Sequence, residues 1–258
     1  MYTNLANVDH KVIGITNRQH GVSPYPSDAL NMALYIDDKI ENVHENQRRL
    51  AEAIQFDVNQ WVFPIQTHES FIAEVGPADR GTNIQTLTSD LHGIDGLYTY
   101  SRDVLLTMCY ADCVPVYFYS TRDDFIALAH AGWRGTKGRI VQSLIDVYAE
   151  PENLKCIIGP SICENCYEVN EDIKSQFRGL GIDEEPYFEL KENGLYKIDL
   201  QGINRELVIS AGVPAEHIEI SGICTAEDER FFSYRTEKGN TGRMLAFIGT
   251  RDEDASTR

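Results

Sequence analysis

Three apolar segments follow one another between residues 104 and 131 with very little between them: "VLLTMCY" from Val104, "VPVYFYS" from Val114 and "DFIALAHA" from Asp124. Each is rich in β-branched and aromatic residues and reads as a strand. The stretch "YSTRDDF" joining the second to the third has the polar character of a hairpin turn, and strands joined that way run antiparallel. Further apolar or β-rich stretches are "WVFPIQT" from Trp61, "KCIIGP" from Lys155, "HIEISG" from His217 and "MLAFIG" from Met244.

Helical periodicity appears between these groups of strands, not after each one. Ile40, Val43, Leu50 and Ile54 recur near helical spacing among charges, as do Ile140, Leu144, Ile145 and Tyr148. A third helix is expected in "IDLQGINRELVISAG", with Asp199 capping its start and Gly212 suiting its end. The fold class is therefore α/β mixed (α+β), with substantial antiparallel sheet flanked by helices. A doubly wound nucleotide fold is disfavoured, since no GxGxxG or GxxxxGK[ST] turn is present to cradle a pyrophosphate. No repeat and no Pro, Ser or Gly-rich linker divides the 258 residues, so a single domain over 1–258 is expected, with a loose tail at 251–258.

Forty acidic against 23 basic residues give a net charge of −17, which disfavours nucleic acid and anionic membrane surfaces as partners. Arg134, Lys137 and Arg139 nevertheless cluster in "HAGWRGTKGR", where an anionic group of a small substrate could be met. No export signal or membrane-length apolar run is visible, so the expectation is a cytoplasmic protein whose six cysteines are reduced thiols. Their interest is then metal binding or nucleophilic reactivity.

Reactive side chains stand at the ends of three expected strands: His68 in "QTHES", Cys113 in "YADCVP" and His130 in "HAGWRG". A thiolate with two imidazoles suits Zn²⁺ or copper, and three protein ligands leave one coordination position open, as in a catalytic site. The same residues also compose a nucleophilic scheme, with Cys113 as thiolate, His130 or His68 as base and Asp112 or Asp95 orienting it. Buried structural roles are the third reading, because free cysteine is among the most buried residue types. Long separations in sequence do not choose among these. Cys163 and Cys166 form a lone CxxC, a weak zinc signal taken as structural. Arg235 and Arg243 flank a glycine-containing turn in "FFSYRTEKGNTGRM" and read first as surface ion-pairing residues, with contact to phosphate, sugar or carboxylate as the alternative.

Taken together, "NRQHGVS", "QTH", "DGLYT", "ADCVPV", "AHAGWRGT", "GPSI" with "CYEV", and "FSYR" with "TGRM" resemble, in order, the bacterial laccase-domain proteins. These are also called multicopper polyphenol oxidase-type proteins, peptidoglycan editing factors and purine nucleoside phosphorylases. The resemblance spans residues 13–248 and implies a single-domain α/β fold with zinc bound by His68, Cys113 and His130. It further implies phosphorolysis of adenosine, inosine, guanosine and S-methyl-5′-thioadenosine to free base and (methylthio)ribose 1-phosphate, with adenosine deaminase activity. Zinc brings the pKa of water toward ~7 and so supplies a nucleophile for C6 of adenine. Phosphorolysis instead needs phosphate held beneath C1′ and a donor to the departing purine. Arg134 is the first expected anion contact, with Arg48 and Arg18 behind it and Asn31 as a further substrate contact. The implied partners are purine nucleosides and phosphate, and a monomer or homodimer is left open.

The chain departs from the family pattern where Asn165 replaces the first of two adjacent cysteines before "YEV", and in the loop "NRQHGVS". Asn31 alone is kept of the usual Asn-Leu-Gly. Two other activities stay in view. Copper-dependent phenol oxidation requires a trinuclear centre, and seven histidines without a paired HxH motif serve it poorly. A cell-wall precursor editing amidase would use the same zinc to polarise an amide carbonyl.

Overall fold

The computed structural model describes residues 1–252. The expected hairpin is present: Val114–Ser120 pairs antiparallel with Ile126–Ala131, with Val114 opposite Ala131 and Tyr119 opposite Ile126. It forms the centre of a six-stranded sheet ordered Ile218–Ile220, Leu154–Ile158, Val114–Ser120, Ile126–Ala131, Ile94–Thr99, Phe71–Glu74. The four inner strands are mutually antiparallel, and each outer strand joins its neighbour in parallel. The first of the three consecutive apolar segments goes elsewhere. Leu105–Tyr110 lies in a five-stranded sheet ordered Tyr2–Asn4, Lys11–Thr16, Met244–Thr250, Leu105–Tyr110, Trp61–Val62. The chain thus changes sheets at residues 111–113.

Alternation along the strands explains the layering. In Ile126–Ala131 the large Ile126 and Leu128 join Tyr117 and Ile157 in a core facing Ile13, Ile15, Leu106, Met108 and Ile248 of the other sheet. The small Ala127, Ala129 and Ala131 point the opposite way, where their size lets Ile140, Leu144, Ile203 and Leu207 pack closely over the sheet. The outer face of the five-stranded sheet, carrying Leu105, Leu245 and Phe247, is covered in turn by Leu50, Ile54, Trp61 and Phe63. Helix, sheet, sheet and helix stack as four layers, so the central strands are buried on both faces and read as continuous apolar runs. Burying one leucine such as Leu128 contributes about 1.5–3 kcal/mol.

The amphipathic helix occupies Ile40–Ile54, with Val43, Leu50 and Ile54 buried. The expected helix beginning near Gly138 is confined to Ile140–Asp146. In Leu200–Ser210 the Asp199 carboxylate accepts from the Gly202 amide at 2.9 Å, and Gly212 beyond the C-terminus takes φ 101°. "WVFPIQT" holds strand geometry only at Trp61–Val62, after which Pro64 follows within two residues and the chain turns toward the site. "HIEISG" is reduced to the edge strand Ile218–Ile220. Of the tail expected to be loose, Arg251 donates its amide to the His10 carbonyl and Asp252 donates to Asp103. Residues 253–258 lie outside the described residues.

Candidate metal centre

Cys113 stands at the crossing between sheets, immediately before Val114. Its parity along the strand matches Tyr117, so it faces the space between the sheets, as does His130, which shares the parity of Leu128. The register sets Pro115 opposite His130, and two residues back Cys113 meets the far end of the same strand. Gly132 is required by that approach, since a Cβ there would stand 3.0 Å from the Cys113 sulfur. Asp112 takes φ 85°, a conformation unfavourable for a residue other than glycine. Its carboxylate is held by Thr225 Oγ1 at 2.8 Å, Ser233 Oγ at 3.0 Å and the Arg235 amide at 2.7 Å. The two residues offered for orienting the histidine are thereby separated: Asp112 fixes the loop, and Asp95 touches the imidazole.

Asp95 is fully buried in the strand Ile94–Thr99, one step from the Gly96–Ala129 pair and therefore opposite His130. Its Oδ1 lies 2.7 Å from His130 Nδ1, which directs Nε2 toward the other donors. The same carboxylate accepts the amides of Thr67 at 3.1 Å, His68 at 3.1 Å and Glu69 at 2.9 Å. One residue thus sets the ring of His130 and the loop that carries His68, whose φ of 63° is left-handed. The rings of His68 and His130 meet edge to face at 4.8 Å, and the donor atoms of His68, Cys113 and His130 all lie within 4.8 Å of one another.

The electrostatics favour a charged cluster. Burial would push the Cys113 thiol up, but His130 and His68 outweigh it and bring the pKa down to about 6. Burial would lower His130, yet the Cys113 thiolate and Asp95 raise it to about 9. For Asp95 burial opposes the charge, while the bonds from His130 and the backbone amides keep its pKa below the ordinary value. A soft thiolate, two imidazoles and a carboxylate behind one of them form a donor set and outer shell suited to zinc. The residues fit the ion that the family resemblance implies.

The three donors line a cavity of about 400 Å³, within the range of small-molecule sites. Its walls include Tyr35, Trp133, Tyr167, Tyr234, Arg235 and Arg243. Arg235 stacks on Tyr167 at 5.0 Å and Arg243 on Tyr234 at 5.6 Å, and Arg243 also donates to the carbonyls of Thr241 and Gly242. Among the described residues no carboxylate forms an ion pair with either arginine, and both line the cavity. From sequence these two read first as surface ion-pairing residues; Arg235 does stay exposed, but both line the cavity, as the alternative of an anion or sugar contact requires. The signal available was their position in "FSYR" and "TGRM".

The anion contacts expected from sequence lie elsewhere. Arg134, in the short helix Trp133–Lys137, is exposed and packs on Trp133 at 4.5 Å without lining the cavity. Lys137 and Arg139 reach Gln176 and Gly179. Arg48 is on the outer face of Ile40–Ile54, paired with Glu45 and Glu52. Arg18 bonds Glu237 and the Tyr25 carbonyl. Asn31 is buried and bonds Ala33, Asp38 and the amide of Arg243, so it supports the backbone of a cavity residue without reaching the cavity.

The fold is α/β mixed, and three donors that could hold a metal ion line a cavity with aromatic and arginine walls. The chain belongs to the multi-copper polyphenol oxidoreductase laccase family, whose model matches residues 12–251. It is 53% identical, over 92% of its length and 91% of the relative's, to a purine nucleoside phosphorylase of Staphylococcus saprophyticus. Identity to a purine nucleoside phosphorylase of Staphylococcus aureus is 55%, covering 92% of this chain and 90% of that one. Among solved structures, the hypothetical protein YfiH of Bacillus licheniformis superposes with a TM-score of 0.94 at 35% identity, over 97% of this chain and 96% of that one. YlmD of Geobacillus stearothermophilus gives 0.91 at 39% identity, covering 95% and 93%.

Proposed function

We propose that this chain is a zinc-dependent purine nucleoside enzyme that uses phosphate to break the bond between ribose C1′ and the purine, and that also deaminates adenosine. The observation that carries the reading is the cavity, where the His68, Cys113 and His130 donors share one space with several aromatic faces and two arginines that form no ion pair among the described residues. The name of the close relatives supports the phosphorolytic part. Adenosine, inosine, guanosine and S-methyl-5′-thioadenosine are the proposed substrates.

His68, Cys113 and His130 would hold the ion. Zinc bound there supplies a Lewis acid that eases loss of a proton from water near neutral pH. Asp95 keeps a proton on His130 Nδ1 and leaves Nε2 for the metal. Arg235 and Arg243 bind phosphate, whose oxygens match the fork of a guanidinium. Stacking on tyrosines fixes both guanidiniums before substrate enters, which lowers the ordering cost on binding. The faces of Trp133 and Tyr234 take the flat purine. Burial holds the Tyr167 phenol well above its ordinary pKa, so it stays a hydrogen-bond donor for the base as the C1′–N bond opens and a phosphate oxygen bonds C1′.

Copper oxidation, which the family's description names, asks for more imidazoles than this centre brings together. Neither donor group among the described residues contains more than two histidines. The test is adenosine turnover followed by chromatography, with and without phosphate, for zinc-loaded protein and for Cys113→Ala. Phosphate-dependent adenine and phosphate-independent inosine, both lost in the variant, are expected. A metal-loaded protein that forms neither product would overturn the proposal and favour the cell-wall amidase.

A further inference from the structure

A second group of donors lies outside the three-donor centre. Cys163, Cys166, Cys224 and Glu227 each offer one ligand atom, and all four atoms lie within 4.8 Å of one another. The cysteines are unpaired thiols. In sequence the lone CxxC is a weak signal, but the fold supplies its missing partner: "CTAE" sets Cys224 and Glu227 at the same two-residue spacing. Both pairs are folded alike. The Cys166 amide donates to the Cys163 carbonyl at 3.1 Å, and the Glu227 amide to the Cys224 carbonyl at 3.3 Å. Such turns present two side chains of a pair to one point. The Cys163 amide also donates to the Cys224 sulfur at 3.3 Å, and Cys166 Sγ meets Glu227 Oε1 at 3.5 Å.

We infer that Cys163, Cys166, Cys224 and Glu227 form a second, closed zinc site with a structural task. Three thiolates and one carboxylate oxygen meet the four-coordinate preference of zinc and leave no position for substrate. Binding releases the thiol protons to solvent and needs no oxidant. The ion would tie the CxxC loop, which walls the cavity, to the Cys224–Glu227 loop behind it. Ile162 and Tyr167, on either side of the CxxC turn, line it. Thr225, next to Cys224, bonds the Asp112 carboxylate beside Cys113 at 2.8 Å. Zinc at the second site therefore fixes the wall carrying Tyr167 and the latch that places Cys113.

The experiment counts metal without reference to activity. Purified chain is stripped with chelator, reduced, titrated with zinc alone, desalted and measured by elemental mass spectrometry. Two zinc ions per chain are expected for the native sequence, one for Cys113→Ala and one for Cys166→Ser. In Cys113→Ala, added zinc should raise the thermal midpoint and protect Cys163, Cys166 and Cys224 from alkylation. If Cys166→Ser fails to fold, Glu227→Gln keeps all three thiolates and should weaken the ion remaining in a Cys113→Ala background by about 10–100-fold or more, since losing even a group behind a ligand costs that much. A native chain that holds one zinc lost in Cys113→Ala, or a Cys166→Ser chain that keeps two, overturns the second site. So does a disulfide within the cluster that persists under reduction. A failure of the three-donor centre would appear instead as one zinc unaffected by Cys113→Ala.

Discussion

Asp95→Asn is the sharpest probe of the metal centre, because it changes one atom and leaves the volume in place. In the native chain Oδ1 takes the His68 amide and His130 Nδ1, while Oδ2 takes the amides of Thr67 and Glu69. An asparagine NH₂ on the Oδ2 side faces the two amides of Thr67 and Glu69. On the Oδ1 side it faces the His68 amide and an imidazole that can change tautomer to accept from it, so at least one buried donor loses its acceptor. Each buried unsatisfied donor costs about 1–3 kcal/mol, which predicts a stability loss of at least about 1–3 kcal/mol. Loosening the group behind a ligating histidine typically costs about 10–100-fold in metal affinity, or roughly 1.4–2.7 kcal/mol. Zinc affinity would be read by competition with a chromophoric chelator and stability by urea unfolding of the metal-free protein. A variant with native zinc affinity and an unchanged urea midpoint would refute the role given to Asp95.

Three further outcomes follow from the same geometry. Arg235→Ala and Arg243→Ala should each raise the KM for phosphate by about tenfold or more without lowering zinc content, as loss of a charge-assisted contact worth about 1.5–3 kcal/mol requires, whereas Arg48→Ala should leave steady-state kinetics unchanged. In metal-free protein the lowered pKa of Cys113, to about 6, places thiolate above that pH, so its alkylation rate should rise through pH about 6 and already be near its plateau at pH 8. A rise centred near pH 9, measured by peptide mass spectrometry at Cys113, would refute the coupling to His130 and His68. Tyr117→Phe removes the hydroxyl that donates from the six-stranded sheet to the Gly14 carbonyl of the five-stranded sheet at 3.0 Å. It should cost about 1–2 kcal/mol in chemical denaturation.

What could be read along the chain was what local chemistry controls. Hydrophobic period placed the Ile40–Ile54 helix, short turns placed the Val114–Ala131 hairpin, and Asp199 announced a cap, since each depends on residues a few positions apart. The three donors were visible as residue types, because thiolate and imidazole carry the same preferences in any fold. Their meeting was decided by tertiary structure. The chain leaves one sheet at Tyr110 and enters the other at Val114, which puts Cys113 between the layers, and register alone sets Asp95 opposite His130. Charge was less legible still. Arg48 and Arg235 are alike in sequence, but Arg48 finds Glu45 and Glu52 on its own helix, while Arg235 is stacked on Tyr167 and turned into a cavity. A side chain's partners come from the whole packing of the molecule, so the residue type fixes what chemistry is on offer and only the fold fixes where it is spent.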